Sequence, residues 1–391
     1  MILPLLALLL APPTQPRAGA WRASLDLAGG ELHFALQLTS SGKGWRGSLC
    51  NGRDCQPLSA VAITGDSLRL EMGDYAAAIT AHWSADSMIG VYRNVGNKGP
   101  RVIPFRASPG RWPASRAAPA LLGRWDATLD NGFSSSPRVF DLRNTRGSFE
   151  GAVISNSGDY GLFFGEAAGD RFRLMHFDGT FVYLVTGQLE GDTLRGIFHA
   201  GLKTQTPFIA VRSTGRPHLT PPTELTSADT SAPFRFAYPD VSGTIVSNED
   251  ARFRGKVVLV DLFGTWCTTC HDAAPTLVQM YKDYHSRGLE MVGLAYEVSG
   301  DSAVDLPLVR RFRDKFGIPY PLLLAGRNDV DAIQAAQPQL RGFTAYPTTL
   351  FIGRDGRVRQ VHAGFYGPAT GALHDAAVAG FRREIETLLR E

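Results

Sequence analysis

Long hydrophobic runs and a strong net charge are both missing from this chain of 391 residues. Its formal net charge is only +3, and no basic run with interleaved aromatic residues occurs, so we expect no nucleic-acid partner. No stretch is long and apolar enough to span a membrane. With 44% hydrophobic and 20% charged residues, the composition is that of an ordinary globular protein of about two or three domains.

The first twenty residues are typical of an export signal. Met1–Ala11 is apolar, and Ala18-Gly19-Ala20 resembles the small-residue site at which such signals are cleaved. No Lys or Arg precedes the apolar run, so the signal is atypical or the assigned start is wrong. We expect residues 1–20 to be a signal peptide and the mature protein to be exported, to the periplasm if the source is a Gram-negative bacterium.

Cysteine is also scarce, with four residues that form two close pairs, a usage that suits an oxidising compartment. Cys50 and Cys55 flank the turn sequence Asn51-Gly52-Arg53-Asp54, which predicts a disulfide across a hairpin. The favoured interpretation of this bond is a local structural staple. The alternative is a second redox pair that exchanges with the other two cysteines.

An internal repeat occupies the region from Trp21 to Arg212. Trp21–Asp26 matches Trp125–Asp130, and further matches follow at the same offset, including Gly65-Asp66 with Gly169-Asp170. Alternating apolar residues and frequent turn signals predict that both copies are all-β. We therefore expect two tandem units, residues 21–112 and 120–212, each a small antiparallel barrel or sandwich of about eight strands.

Residues 213–233 are rich in Pro, Thr and Ser and show little apolar periodicity. This composition predicts a semi-extended linker. The remaining domain, residues 234–391, should then be able to move relative to the β units.

The second cysteine pair, Cys267-Thr268-Thr269-Cys270, lies at a predicted strand–turn–helix junction. The apolar run Val257–Phe263 precedes it and predicts a buried strand, and the loop Gly264–Trp266 connects the two. A helix N-terminus stabilises a thiolate on the first cysteine, and the thiolate is the nucleophile of disulfide exchange. A CxxC pair in this context predicts thiol–disulfide exchange chemistry.

This region resembles the thioredoxin superfamily, most closely its exported TlpA/ResA-like thiol–disulfide oxidoreductases. The resemblance covers roughly residues 234–391. Four features occur in the family's order: the lead-in Phe253–Lys256 to the buried strand, Asp261 before Cys267, Pro275 after Cys270, and Tyr346-Pro347-Thr348 before a strand.

The resemblance implies an α/β thioredoxin-like domain and a role for each matched residue. Cys267 would attack a disulfide, and Cys270 would resolve the mixed disulfide. Asp261, buried beneath the pair, would accept the proton of Cys270. A cis Pro347 would leave the backbone of Tyr346 free to pair with an extended peptide.

The same resemblance implies protein disulfides or dithiols as substrates, a reductive role and, for a reductant outside the cytoplasm, a membrane-bound electron donor. It implies no cofactor and no metal. Thr268-Thr269 differs from the dipeptides common in relatives, which leaves the direction of exchange open.

Two other functions fit parts of the sequence. The twin β units could bind a ligand or partner, with the redox domain as an accessory. Cys267 to His271 also spells the C-x-x-C-H pattern of c-type haem attachment, with His271 as the proximal ligand. Under the thioredoxin interpretation we expect His271 to be solvated, and Glu297, which ends a predicted strand, to be an exposed loop carboxylate.

Overall fold

The computed structural model describes residues 15–42, 44–84, 86–94 and 100–391. Most of the expected signal peptide, residues 1–14, therefore lies outside the described residues. Among the helices that are described, none is both long and apolar enough to cross a membrane.

The first β unit is a ring of eight strands with one extra hairpin strand. β1, β2 and β3 pair in sequence order, β5 to β9 continue the sheet, and β9 returns to β1. β4 pairs with β3 outside the ring. The strands are β1 (Gly19–Leu27), β2 (Gly30–Ser41), β3 (Gly44–Asn51), β4 (Asp54–Pro57), β5 (Ala60–Thr64), β6 (Ser67–Met72), β7 (Ala77–Trp83), β8 (Met88–Asn94) and β9 (Arg101–Pro109).

The second β unit is a closed up-and-down barrel in which each strand pairs with the next and β17 pairs with β10. Its interior is filled by side chains, many of them aromatic: Trp125, Phe140, Phe149, Phe163, Phe198 and Phe208. The strands are β10 (Gly123–Asp130), β11 (Ser135–Thr145), β12 (Ser148–Ser155), β13 (Gly158–Ala168), β14 (Arg171–Phe177), β15 (Val182–Glu190), β16 (Thr193–Ala200) and β17 (Thr204–Arg212).

The repeat seen in the sequence is a repeat of structure. Trp21 on β1 and Trp125 on β10 are both fully buried. Each indole Nε1–H donates to a carbonyl four residues earlier, that of Arg17 at 2.9 Å and that of Leu121 at 3.0 Å. The prediction of two all-β units is confirmed, and of the two architectures that it left open, the barrel is the one observed.

The two barrels share one apolar core at their contact. Phe177 of the second barrel lies among residues of the first, with its ring centroid 4.9 Å from Phe34 and 5.0 Å from Tyr92. The Asn51 side chain joins the backbone of Phe177 through two hydrogen bonds of 2.9 and 3.0 Å. Because these buried polar groups are satisfied while apolar area is removed from water, the contact stabilises a fixed arrangement of the two units.

The C-terminal domain is an α/β unit built on a five-stranded sheet in the order β23-β22-β21-β25-β26. Strands β21, β22 and β23 are parallel to one another. Strand β25 is antiparallel to both of its neighbours, β21 and β26. Its principal elements are β21 (Val257–Phe263), α1 (Thr268–Tyr284), β22 (Leu289–Glu297), α2 (Ser302–Phe316), β23 (Leu322–Arg327), α3 (Val330–Ala336), β25 (Thr348–Ile352), β26 (Val358–Ala363) and α4 (Ala372–Arg390). Short strands β18 (Ser227–Ala228), β19 (Ala237–Pro239), β20 (Ile245–Ser247) and β24 (Leu340–Arg341) complete it.

Strand β21 is buried on both faces, as its continuous apolar run predicts. Alternate residues, such as Leu259 and Val260, enter two separate cores. The first core receives helices α1, α2 and α4, and the second receives α3. The cysteine pair belongs to the first core, which also contains residues of the sheet and of helices α2 and α4.

The segment 213–233 differs from the expected mobile linker because it is bonded to both of its neighbours. The His218 ring contacts the Ala127 carbonyl of the second barrel at 2.9 Å. The Ala363 N–H of the C-terminal domain donates to the Pro222 carbonyl at 3.0 Å. Proline-rich composition predicted a semi-extended linker, but not the hydrogen bonds that attach this segment to its neighbours.

The predicted disulfide between Cys50 and Cys55 is present and joins β3 to β4. Its neighbours Asp54 and Gln56 line a cavity beside α1, whereas Cys50 lines a different cavity that contains Trp112. Neither Cys50 nor Cys55 lines the cavity beside α1, which favours the staple interpretation.

Replacing both Cys50 and Cys55 by serine should lower the free energy of unfolding of the first unit by about 2 kcal/mol, because the bond closes a loop of only a few residues. Denaturant titration of the double variant measures this loss. Mass mapping after mild reduction gives the second readout: a staple resists reduction, and an unchanged stability together with ready reduction would contradict the assignment.

Candidate active site

Cys267 and Cys270 lie at the first turn of α1, where the strand β21 and its loop deliver them. Cys267 is the N-cap of the helix, and its Sγ accepts a hydrogen bond of 3.2 Å from the Cys270 N–H. Both thiols are free. They are 5% and 2% exposed. A backbone N–H aimed at Sγ at a helix N-terminus is an arrangement that stabilises negative charge on that sulfur.

Asp261 lies on β21 on the same face of the sheet as the cysteine pair, and it is 7% exposed. Burial raises the pKa of its carboxyl to about 7, although Thr349 Oγ1 donates a 2.8 Å hydrogen bond to it. Burial, the contact with Cys267 and the charge of Asp261 raise the pKa of Cys270 well above its ordinary value. A carboxyl that titrates near neutrality beside a thiol that resists ionisation is suited to take the thiol proton.

The Pro347 loop lies beside the pair. The Tyr346–Pro347 peptide bond is cis, as expected. The Pro347 carbonyl accepts a 2.6 Å hydrogen bond from the Gly364 N–H, and the Tyr346 ring contacts Trp266 edge-on at 5.3 Å. Within the described part of the chain the backbone of Tyr346 makes no hydrogen bond, so it is free to pair with an extended peptide. The four site residues predicted from the sequence, Cys267, Cys270, Asp261 and Pro347, thus lie in the same neighbourhood.

Glu297 is not the exposed loop carboxylate that the sequence suggested, because it is 1% exposed. Its two oxygens accept hydrogen bonds from the Thr265 N–H at 2.8 Å and from Thr265 Oγ1 at 2.7 Å. Burial raises its pKa to about 7. Glu297 therefore holds the loop that precedes Cys267, and only its position at the end of a buried strand hinted at this.

His271 is likewise not solvated, since it is 8% exposed and surrounded by the rings of Tyr75, Phe312 and Phe316. Its Nε2 contacts the Thr265 carbonyl at 2.8 Å, and its Nδ1 faces Lys315 Nζ at 3.2 Å. Burial, followed by the charge of Lys315, lowers its pKa to about 4. Both ring nitrogens are engaged and both cysteines are packed in the core, so these residues do not fit a covalently attached haem.

Both β units contact the helix that carries the cysteines. Gly158, which opens β13 of the second barrel, pairs with Phe365 and packs against Thr269 of the CxxC segment. Asp159 accepts a 2.6 Å hydrogen bond from the Gly367 N–H. The first barrel contributes Tyr75. None of these contacts was predicted, because each joins residues that are far apart in the sequence and lie in different domains.

A polar cavity of about 190 Å³ separates the first turn of α1 from the two barrels. Its acidic and basic side chains come from all three domains, and they are Asp54, His176, Asp178, His271, Asp272 and Lys315. Burial and the nearby Asp159 raise the pKa of Asp272 to about 8. The first turn of α1 therefore borders, at Thr268, His271 and Asp272, a cavity that is rich in carboxyl groups.

The sheet order, the cis-proline loop and the CxxC segment at a helix start together define a thioredoxin-like domain. Residues 229–361 match the model of the AhpC/TSA family. The chain is 28% identical over 131 residues to the thiol–disulfide oxidoreductase ResA of Halalkalibacterium halodurans, a match that covers 33% of this chain and 65% of that protein. It is 29% identical over 142 residues to ResA of Bacillus subtilis, covering 36% and 70%.

Among solved structures, the chain is similar to a thioredoxin family thiol:disulfide interchange protein from Chlorobium tepidum TLS. The identity is 28%, the TM-score is 0.32, and the match covers 42% of this chain and 99% of that one. The chain spans 65% of the length of ResA from Halalkalibacterium halodurans and 57% of ResA from Geobacillus thermodenitrificans. These matches concern the C-terminal domain.

Proposed function

We propose that this protein is a thiol–disulfide oxidoreductase that exchanges disulfides with protein partners through Cys267 and Cys270. The Cys267 thiolate attacks one sulfur of a partner disulfide, forms a mixed disulfide and releases the other partner sulfur as a thiolate. Cys270 then loses its proton to Asp261 and attacks the Cys267 sulfur. The products are a Cys267–Cys270 disulfide and a partner dithiol, so two electrons pass from this protein to its partner.

The observation that carries this proposal is the geometry of the pair. Cys267 caps the helix and its Sγ accepts a hydrogen bond from the Cys270 N–H, while Cys270 is slightly more buried and its pKa is raised by burial, by Cys267 and by the charge of the buried Asp261. The two thiols are thus differentiated into an attacking and a resolving sulfur by their surroundings. Similarity to the ResA proteins named above supports the same assignment.

We further propose that exchange runs in the reductive direction, outside the cytoplasm, with a membrane-bound protein as the electron donor. The support is the similarity to ResA proteins and, for export, the apolar start of the sequence. Each turnover leaves Cys267 and Cys270 oxidised, so a continuing reductant has to be recharged by a dithiol donor.

The docked β units favour extended substrate segments. Gly158 of the second barrel pairs with Phe365 and lies close to Thr269 of the CxxC segment, so the barrel covers part of the surface next to the pair. An extended chain can add to the free backbone of Tyr346 as a strand, whereas a folded surface meets the barrels first.

The test is the reduction of an unfolded disulfide-bonded protein by the pre-reduced full chain, with a folded disulfide protein as comparison. We expect rapid reduction of the unfolded substrate, slow reduction of the folded one, and no reduction above background with Cys267→Ser. Matched controls are the Cys50→Ser/Cys55→Ser protein and the wild type, which should react alike. Equal rates for Cys267→Ser and the wild type would overturn the proposal.

A further inference from the structure

A side chain of the first barrel forms an ion pair with helix α2 of the C-terminal domain. Asp74, in the short 3-10 turn Gly73–Tyr75 between β6 and β7, has its Oδ2 2.6 Å from Lys315 Nζ at the end of α2. Both side chains are partly shielded from solvent. Since partial burial reduces screening by water and salt, the two charges interact more strongly than a surface pair.

The same lysine also contacts His271, which lies in the first turn of α1 beside the cysteines. Lys315 Nζ lies 3.2 Å from His271 Nδ1, and His271 Nε2 lies 2.8 Å from the Thr265 carbonyl. Because His271 stays neutral at physiological pH, its Nε2–H donates to that carbonyl and its Nδ1 accepts from the ammonium. Glu297 holds Thr265 from the opposite side.

The chain of contacts ends at the attacking cysteine. The His271 N–H donates to the Cys267 carbonyl at 3.2 Å, and Thr265 is two residues before Cys267. The Tyr75 ring, next to Asp74 in sequence, packs on His271 at 4.9 Å and helps to exclude water from this path. Lys315 on α2 thus places a cation next to the first turn of α1. The carboxylate of Asp74, from the first β unit, balances this charge.

We propose that the Asp74–Lys315 pair, acting through His271, sets the reduction potential of the Cys267–Cys270 couple, so that docking of the first β unit tunes the redox domain. Asp74, Lys315 and His271 are positioning residues, since none of them touches the reacting sulfurs in the proposed exchange. The inference rests on the proposed function for its biological meaning.

The sign of the effect follows from the charges. Asp74→Asn leaves the Lys315 ammonium uncompensated, and a cation near the helix N-terminus stabilises the Cys267 thiolate. The reduced form gains stability, so the potential becomes less negative. Lys315→Met leaves the Asp74 carboxylate uncompensated and removes the donor to His271, so the potential becomes more negative.

The other ionisable groups of the cavity also influence the reduction potential of the cysteine pair. The carboxyl groups of Asp54, Asp178 and Asp272 and the ring of His176 face this space from the barrels and from α1. They are unchanged in the variants, so they contribute equally to every potential that is compared.

The experiment is the thiol–disulfide equilibrium of the full chain with glutathione, measured in protein that carries Cys50→Ser and Cys55→Ser. We expect Asp74→Asn and Lys315→Met to change the equilibrium constant by about threefold or more in opposite directions, which is about 14 mV each for this two-electron couple. The combination of both changes should return close to the parent value. Lys315→Arg, which keeps the charge, should differ little.

Arg313→Met is the matched control, because Arg313 lies on the same helix and pairs with Asp314 away from the cysteines. Shifts of the potential in the same direction in both single variants, or no shift, would overturn the inference. The two variants remove opposite charges, whereas loss of a merely structural contact would not reverse the direction of the shift. Circular dichroism confirms that each variant is folded, and if Lys315→Met fails to fold, the sign of the shift in Asp74→Asn still decides the test. A pair that shows no reversible equilibrium with glutathione in the parent protein would instead overturn the proposed function.

Discussion

Replacing Cys270 by serine is expected to stop turnover and to leave Cys267 joined to its substrate. The attacking sulfur remains at the helix N-terminus, where the Cys270 backbone N–H still points at it, so the first step proceeds. The second step has no thiol, so the mixed disulfide accumulates, whereas the wild type releases its partner. Mass spectrometry of the Cys270→Ser protein after incubation with a disulfide-bonded peptide measures the adduct, and we expect most of the protein to carry it.

Two controls isolate this effect. Cys267→Ser should form almost no adduct, because Cys270 lies deeper and burial raises its pKa. The Cys50→Ser/Cys55→Ser protein should behave as the wild type. An adduct mapped to Cys270 in the Cys267→Ser protein, at the rate seen for Cys270→Ser, would contradict the assignment of attacking and resolving sulfurs.

Replacing Asp261 by asparagine is expected to make the protein more stable and less active. The folded-state pKa of about 7 exceeds the unfolded value of about 3.9, so between these values the folded state binds more protons than the unfolded one. The wild type therefore loses stability as the pH rises through this window. Asparagine carries no charge, and after the cost of its less well-satisfied amide we expect a net gain of about 1–3 kcal/mol at about pH 8.

The same Asp261→Asn change should lower the activity. Without a buried proton acceptor, release of the mixed disulfide by Cys270 is expected to slow by about a hundredfold, a typical effect of losing a general base. Stopped-flow measurement of mixed-disulfide decay gives the rate, and denaturant titration at about pH 4 and 8 gives the stability. Thr349→Val is the matched variant, because it removes the hydrogen bond to Asp261 but keeps the carboxyl. A stability gain that is the same at both pH values, or an unchanged decay rate, would contradict the role of Asp261.

The local parts of this site could be predicted because they depend on neighbours in the sequence. The buried strand Val257–Phe263 determines the position of Asp261, and a CxxC at a helix start orients both sulfurs. The Pro347 loop was found through its resemblance to a known family. Each of these features needs only short-range periodicity or a recognisable motif.

The parts that could not be predicted depend on packing between distant segments. His271 and Glu297 look like surface residues in the sequence, and they are buried because α2, Thr265 and the first barrel enclose them. Asp74 and Gly158 carry no motif at all. Their importance follows from how two barrels and an α/β domain dock, and a one-dimensional pattern contains no record of that arrangement.

The linker shows the same limit. Proline-rich composition predicted a semi-extended linker after β17, but hydrogen bonds at His218 and Pro222 attach this segment to two domains. Composition indicates the conformational preference of an isolated segment. Tertiary contacts decide whether the segment is a flexible linker or is attached to its neighbours.

Thiol–disulfide exchange by this protein is best tested by the equilibrium reduction potential of the Cys267–Cys270 couple, in full-length protein with Cys50 and Cys55 replaced by serine. We predict a reversible two-electron couple near the value of thioredoxin, about −270 mV, as suits a reductant. A value near that of the oxidant DsbA, about −120 mV, would contradict the reductive direction. The absence of any reversible couple would contradict thiol–disulfide exchange itself.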